Sequence, residues 1–138
     1  MNNILVDTGP LVAVLVETDS HHVWAVERLH ELPAPFLTCE PVLAETFYLV
    51  SRLHNGPRRF FELLGSGLLK GGFNVLVERE ALQKLIYKYN DLPMSLADAS
   101  LVRMAEQIQD AVVFTTDSDF RTYRKNGRQI IPLIMPET

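Results

Sequence analysis

Short apolar runs alternate with helical stretches along nearly the whole chain, and this alternation constrains the fold more than any other feature. Asn3–Val6 (NILV) has the length and character of a buried strand, and Pro10 follows where the first turn of a helix accepts proline. Helix is expected over residues 11–17 and again over 20–32, where Ser20 opens it. A second strand is expected at 35–39, then a long apolar helix over 40–53, opened by Glu40-Pro41. Residues 57–70 read as helix loosened by Gly65 and Gly67 and stopped at Gly71-Gly72. A third strand at 73–77 precedes helices at 79–89 and 95–109, and strands at 111–115 and 128–134 complete the pattern. Strands and helices in this order predict a layered α/β fold with a mostly parallel sheet.

No linker, repeat or low-complexity tract divides the 138 residues, so a single domain spanning 1–138 is expected. Such a chain buries roughly two-thirds of its unfolded surface and folds without a disulfide or metal. The lone Cys39 has no internal partner, which points to a reducing compartment. No cationic start with an apolar core reads as a signal peptide, and the apolar run at 11–16 is too short for a bilayer. Cytoplasm is therefore expected, with no membrane partner. The net charge of −4 argues against extended duplex binding, yet it suits a chain whose acids gather in one pocket.

The first strand delivers Asp7 into Thr8-Gly9-Pro10. Asp-Thr-Gly is also the aspartic-protease tripeptide, but those enzymes are all-β, whereas here the tripeptide leads into a helix. In open parallel sheets ligands lie beyond the carboxyl ends of the strands, where Asp7 stands. The stretch VVFTTDSDF repeats the device, running out through Thr115 and Thr116 to Asp117, with Asp119 two residues on. Glu45 interrupts the apolar helix EPVLAETFYLV at helical spacing from Val42 and Leu49, and Asp98 shares a face with Leu101, Val102 and Ala105. Each carboxylate also has a local reading. Asp7 suits a helix cap, Ser95-x-x-Asp98 a capping box, Asp117 and Asp119 an Asx-turn and cap, and Glu45 an ion pair with Arg52. Coincidental capping is a poor account of all four sites together.

Carboxylates without Cys or His at ligand spacing favour hard cations, Mg²⁺ or Mn²⁺, over zinc. His21, His22 and His30 read as surface residues. A carboxylate-held Mg²⁺ suits phosphoryl transfer by an oriented, acidified water. Thr8, Thr115 and Thr116 are candidates to orient the carboxylates or bound waters.

At ILVDTGPLVAVL, EPVLAETFYLV, LADASLVRMA and VVFTTDSDF, in that order, the sequence resembles the PIN-domain ribonucleases, in particular the VapC-like toxins of toxin–antitoxin pairs. The resemblance runs from Ile4 to Phe120. It implies a three-layer α/β/α fold with a central, mostly parallel sheet of four to five strands. It implies a catalytic, Mg²⁺- or Mn²⁺-binding set of Asp7, Glu45, Asp98 and Asp117, with Asp119 a less regular ligand. It further implies endonucleolytic cleavage of RNA, an antitoxin protein that crosses the active-site groove, and a homodimer.

Candidate RNA contacts are Arg52, Arg58, Arg59, Arg121 and Arg124, the last two in the basic stretch 121–128. Phe60, Phe61, Leu63, Leu64, Leu68 and Leu69 exceed what one short helix buries, and about half are expected in the core. Two rival phosphotransfer classes fit less well. Dehalogenase-like phosphatases place a second Asp where Gly9 stands, and receiver domains need an acidic pair near the first strand. A non-enzymatic alternative is a PIN-like RNA-binding or adaptor module that keeps the pocket without cutting.

Overall fold

The computed structural model describes residues 2–137. Five strands form one sheet in the order β3-β2-β1-β4-β7, where β1 is Asn3–Val6, β2 Phe36–Leu37, β3 Leu69–Lys70, β4 Ala111–Phe114 and β7 Leu133–Ile134. All four pairings in that sheet are parallel. Six helices flank it: α1 (Thr8–Leu15), α2 (His22–Glu31), α3 (Glu40–Val50), α4 (Gly56–Gly65), α5 (Arg79–Lys88) and α6 (Leu96–Gln107). The expected α/β fold with a parallel five-stranded sheet is therefore present. No helix among the described residues is long and apolar enough to cross a membrane.

The two central strands set the geometry. β1 and β4 pair in register over their full length, from Asn3↔Ala111 to Val6↔Phe114. Ile4, Leu5 and Val6 are buried, as are all four residues of β4, which matches the unbroken apolar runs of strands covered on both faces. Because the register has no slip, the residues that follow the two strands emerge side by side. The core continues into α6 through Leu101, Val102 and Met104 and into α3 through Val42 and Val50.

Two expected strands are corrected. Residues 73–77 are not a strand; the third strand is Leu69–Lys70, paired with β2 at Phe36↔Leu69. Helix α4 ends at Gly65 rather than at 70, since Gly67 adopts a left-handed φ of 85° that turns the chain back to the sheet. Downstream, Asn74 Oδ1 accepts the Val77 N–H at 3.1 Å, an Asx-type turn that draws the backbone out of extended pairing. The expected strand 128–134 is split in two. Gln129–Ile130 (β6) pairs antiparallel with Arg124–Lys125 (β5) in a separate hairpin, while Leu133–Ile134 joins β4. Pro132, lacking an N–H, lies between them and offers its carbonyl to Val113 N. Helix α3 stops at Val50, short of 53, and α2 begins at His22 rather than Ser20.

Of the apolar residues on α4, Phe60 and Leu63 are buried while Phe61 and Leu64 are exposed, and Phe47, Phe60 and Phe61 stack on one another. Gly56 opens α4 directly beneath α3, where a Cβ would stand 1.8 Å from the Val50 carbonyl oxygen. Backbone cannot yield as a side chain can. Gly56→Ala is expected to lower stability by about 1–3 kcal/mol through forced separation of α3 and α4. Thermal unfolding should show a drop of at least several degrees, and an unchanged midpoint would refute this packing.

Candidate active site

Asp7 leaves β1 with its N–H bound to the Phe114 carbonyl at 3.0 Å, so the strand ends cannot slide apart. Its Oδ1 accepts the Thr8 N–H at 2.7 Å and caps α1, and its Oδ2 accepts the Thr115 hydroxyl at 2.7 Å. That hydroxyl oxygen in turn accepts the Asp117 N–H at 2.9 Å, so one threonine links both strand-end aspartates. Asp117 Oδ1 accepts the Asp119 N–H at 2.9 Å and caps the short 3₁₀ turn Ser118–Arg121. Asp98 comes from α6, where Ser95 and Asp98 form a reciprocal capping box. Its Oδ2 accepts the Ser95 N–H at 3.1 Å and lies 3.4 Å from the Tyr123 hydroxyl.

Asp7 and Asp98 are both buried, at 5% and 8% exposure, whereas Glu45, Asp117 and Asp119 are half-buried. Burial pushes the Asp7 carboxyl up to about 7; the bonds from Thr115 and Thr8 oppose this, and the charges of Asp98 and Asp117 add to it. Burial likewise pushes Asp98 up to about 6, opposed by Ser95 and reinforced by Asp117 and Glu45. Burial is also the main reason that the Cys39 thiol is raised to about 11, and the charges of Asp7 and Glu45 both reach it. The four expected carboxylates therefore share one electrostatic neighbourhood. Asp119 acts at its margin, where its charge is felt by buried Tyr123. A thiol so disfavoured as thiolate is no nucleophile.

Among the described residues, none of the ion pairs involves any of these five carboxylates, and Glu45 does not pair with Arg52. Nor are any three His, Cys, Asp or Glu side chains placed to hold one ion between them. The carboxylates are close enough to feel one another's charge but do not form a closed cage. The donors are all hard oxygens, and the two most buried have no cationic neighbour. This suits Mg²⁺, which keeps several waters and takes one or two carboxylates plus substrate oxygens rather than an all-protein cage.

The three threonines serve differently. Thr115 bridges Asp7 and Asp117, whereas Thr8 reaches Asp7 through its backbone N–H and its buried hydroxyl has no partner. Thr116 packs against α1, its Oγ1 where a Cβ on Gly9 would lie. Sequence reasoning did not single out Tyr123, which is fully buried against Tyr89 and Phe120 and touches Asp98. The only signal was an aromatic just beyond VVFTTDSDF. Of the arginines, Arg58 pairs with Glu62 at 3.8 Å and Arg59 with Glu17 at 3.3 Å, while Arg52 and Arg121 are exposed. Arg124 turns its Nη1 onto the carbonyls of Arg121, Thr122 and Tyr123. His22 is half-buried with Nδ1 2.6 Å from the Ala13 carbonyl, and so is not the free surface residue expected.

Comparison with known proteins gives concordant results. Three solved structures share the architecture. The Mycobacterium tuberculosis VapC20 toxin, which cleaves the sarcin-ricin loop, matches with TM-score 0.72 at 23% identity over 87% of this chain and 94% of that one. VapBC2 from Rickettsia felis, bound to a promoter DNA fragment, matches at 0.64 and 16%, covering 97% and 98%. DNA-bound VapBC from Salmonella typhimurium matches at 0.60 and 14%, covering 98% of each chain. No curated protein matches in sequence. At these identities the structures speak for the fold. The PIN-domain sequence profile matches residues 4–126, a span that takes in every carboxylate of the pocket. On that match, the chain belongs to the PIN-domain family.

Proposed function

We propose that this protein is a Mg²⁺- or Mn²⁺-dependent endoribonuclease and the toxin of a toxin–antitoxin pair, working in the cytoplasm. The observation that carries the reading is the pair Asp7 and Asp98: buried, raised to about 7 and about 6, and facing further carboxylates instead of a cationic side chain. Such a pocket is unfavourable by itself and becomes favourable around a divalent ion. Of Asp7, Glu45, Asp98 and Asp117, one or two would bind that ion directly and the others through its waters, with Asp119 at the edge. These residues would hold the ion where it would supply an oriented, acidified water and charge to offset that building on the phosphate. The remaining work is done by the chain. Thr115 and the α1 N-terminus hold both Asp7 oxygens in place, and Ser95 and Tyr123 hold Asp98. Glu45 and Asp117 are half-buried and so stay partly accessible to solvent.

The toxin assignment draws on the VapC likenesses and on the α3–α4 surface. Tyr48, Leu49, Leu53, Phe61 and Leu64 are exposed there, apolar area suited to an antitoxin segment or to a second copy in a homodimer. The open arrangement of the carboxylates is the one observation that also suits an RNA-binding module without nuclease activity. Metal-dependent cleavage separates the two readings.

Asp7→Asn and Asp98→Asn are each expected to lower RNA cleavage by on the order of 100-fold or more. Labelled RNA incubated with Mn²⁺, with EDTA as control, measures this, and far-UV circular dichroism confirms the fold. Full cleavage by either variant would overturn the assignment. A thermodynamic test is independent of turnover. A carboxyl raised above its unfolded pKa stabilises the folded state when protonated, and this contribution is lost as pH rises from about 4 through about 7. In EDTA the protein should therefore melt lower at pH 8 than at pH 5, by an amount equivalent to a few kcal/mol. Millimolar Mn²⁺ should restore the midpoint at pH 8, and Asp7→Asn should flatten the pH dependence. A midpoint at pH 8 that Mn²⁺ does not move would count against ion binding in this pocket.

A further inference from the structure

The chain carries 17 Asp and Glu against 13 Lys and Arg, yet its positive charge is unevenly distributed. Residues 121–128, RTYRKNGR, hold Arg121, Arg124, Lys125 and Arg128 with no carboxylate among them, and none follows until Glu137. The structure ends the 3₁₀ turn at Arg121 and makes residues 124–130 the β5–β6 hairpin, which lies outside the five-stranded sheet and pairs Arg124↔Ile130 and Lys125↔Gln129. Its connection contains Asn126 and Gly127 at φ 51° and 85°, so the ribbon turns tightly.

The hairpin is rooted at the active site. Tyr123, the residue before β5, is fully buried with its hydroxyl 3.4 Å from Asp98 Oδ2. From there the tip extends by three to four residues, roughly 10 Å of strand. Its shape is fixed by four separate attachments. Arg124 N–H donates to the Tyr89 hydroxyl at 2.9 Å, Lys88 Nζ to the Gly127 carbonyl at 2.9 Å, and Asn126 N–H to Glu106 Oε2 at 2.7 Å. Arg124 Nη1 closes the base on three backbone carbonyls, which makes Arg124 a structural element of the hairpin rather than a phosphate ligand.

We propose that this hairpin, with Arg121 at the end of the 3₁₀ turn that leads into it, is a basic arm that grips the RNA phosphate backbone within a few nucleotides of the cut, through Arg121, Lys125 and Arg128. The choice of RNA rests on the nuclease reading above. Several other arginines stand within ion-pair distance of carboxylates: Arg58 of Glu62, Arg59 of Glu17, Arg28 of Glu31, and Arg103 of Glu78 and Glu106. Exposed Arg52 has no such partner among the described residues but stands alone in the turn after α3. Among the described residues no ion pair involves Arg121, Lys125 or Arg128. Arg121 and Arg128 are exposed and Lys125 half-exposed, so their charge is available to an anion. Ile130, opposite Arg124 and 71% exposed, adds apolar surface for a ribose or base. A ribbon pinned at its base and tip pays little ordering entropy on contact, which is what a backbone grip requires.

The test reads binding apart from cleavage. Fluorescein-labelled single-stranded RNA of mixed sequence is titrated with the full protein in EDTA at a series of salt concentrations, by anisotropy. Replacing Arg121, Lys125 and Arg128 together by Gln is expected to flatten the slope of log K against log salt by about 2, at roughly 0.7 per lost contact. Affinity at low salt should fall by at least tenfold, while Arg79→Ala on α5 leaves both unchanged. If the triple variant misfolds by circular dichroism, Arg121→Gln and Arg128→Gln singly should each flatten the slope by about 0.7. An unchanged slope would overturn the arm. So would a loss of binding to polyglutamate with RNA binding intact, which would mark a site for an acidic polypeptide instead. Because no metal is present, failure of the nuclease reading leaves this result interpretable: RNA binding that depends on the arm without any cleavage would uphold the arm alone.

Discussion

The Thr115 hydroxyl is the point on which the site turns. It donates to Asp7 Oδ2 at 2.7 Å and accepts from the Asp117 N–H at 2.9 Å, so a single buried group binds the ends of two strands and sets both carboxylates. It can do so only because β1 and β4 pair without slip, with Val6 opposite Phe114 and the Asp7 N–H on the Phe114 carbonyl. A one-residue shift would turn Asp7 to the other face and break every contact just named. The apolar identity of NILV and AVVF, buried on both faces, is therefore what fixes the chemistry at their ends.

Capping and catalysis are not rival explanations of these carboxylates. Asp7 caps α1, Asp98 completes the capping box of α6, and Asp117 caps the 3₁₀ turn. Each thus sits at the positive end of a helix or turn, where the backbone N–H groups and dipole favour negative charge. That local stabilisation offsets part of the cost of burial and keeps the Asp7 and Asp98 carboxyls from rising still further. It also explains how carboxylates with no ion-pair partner among the described residues stay folded: the starts of α1, α6 and the 3₁₀ turn hold Asp7, Asp98 and Asp117 in place. Glu45 differs, since it lies mid-helix on α3 with no cap to make, and it is half-buried rather than enclosed.

The parts of the fold legible in the sequence are those with local physics of their own. The buried strands carried continuous apolar runs, Ser95-x-x-Asp98 carried its capping box, and Asp7 and Asp117 ended apolar runs. The third strand was misplaced because FNVLV has strand composition but Asn74 closes a turn on Val77, whereas Leu69–Lys70 pairs with β2 through contacts no local pattern reveals. The division at Pro132 follows from its missing N–H, although which sheet each half would join depended on distant partners. Tyr123 was invisible for the same reason: its contact with Asp98 spans 25 positions of the chain. The arginines on α4 were equally misleading, since basic residues in sequence do not announce that Glu62 and Glu17 will answer them.

The low isoelectric point, near 5.5, argues against extended duplex binding, but for the RNA contact proposed above net charge is the wrong quantity. Much of the negative charge that shapes this molecule is gathered at one sheet edge, where an ion would cancel it, and other carboxylates are matched to Arg28, Arg58, Arg59 and Arg103. On the proposed reading, an anionic polymer approaching the hairpin meets Arg121, Lys125 and Arg128 within eight positions, while Glu106, whose carboxylate lies against the tip, is held by the Asn126 N–H and by Arg103. Field falls off within about 10 Å at moderate ionic strength, so what a phosphate feels is this local balance and not the sum over the chain. An acidic protein can hold RNA provided that its charges are sorted, and β5–β6 stands next to the pocket because Tyr123 ties one to the other.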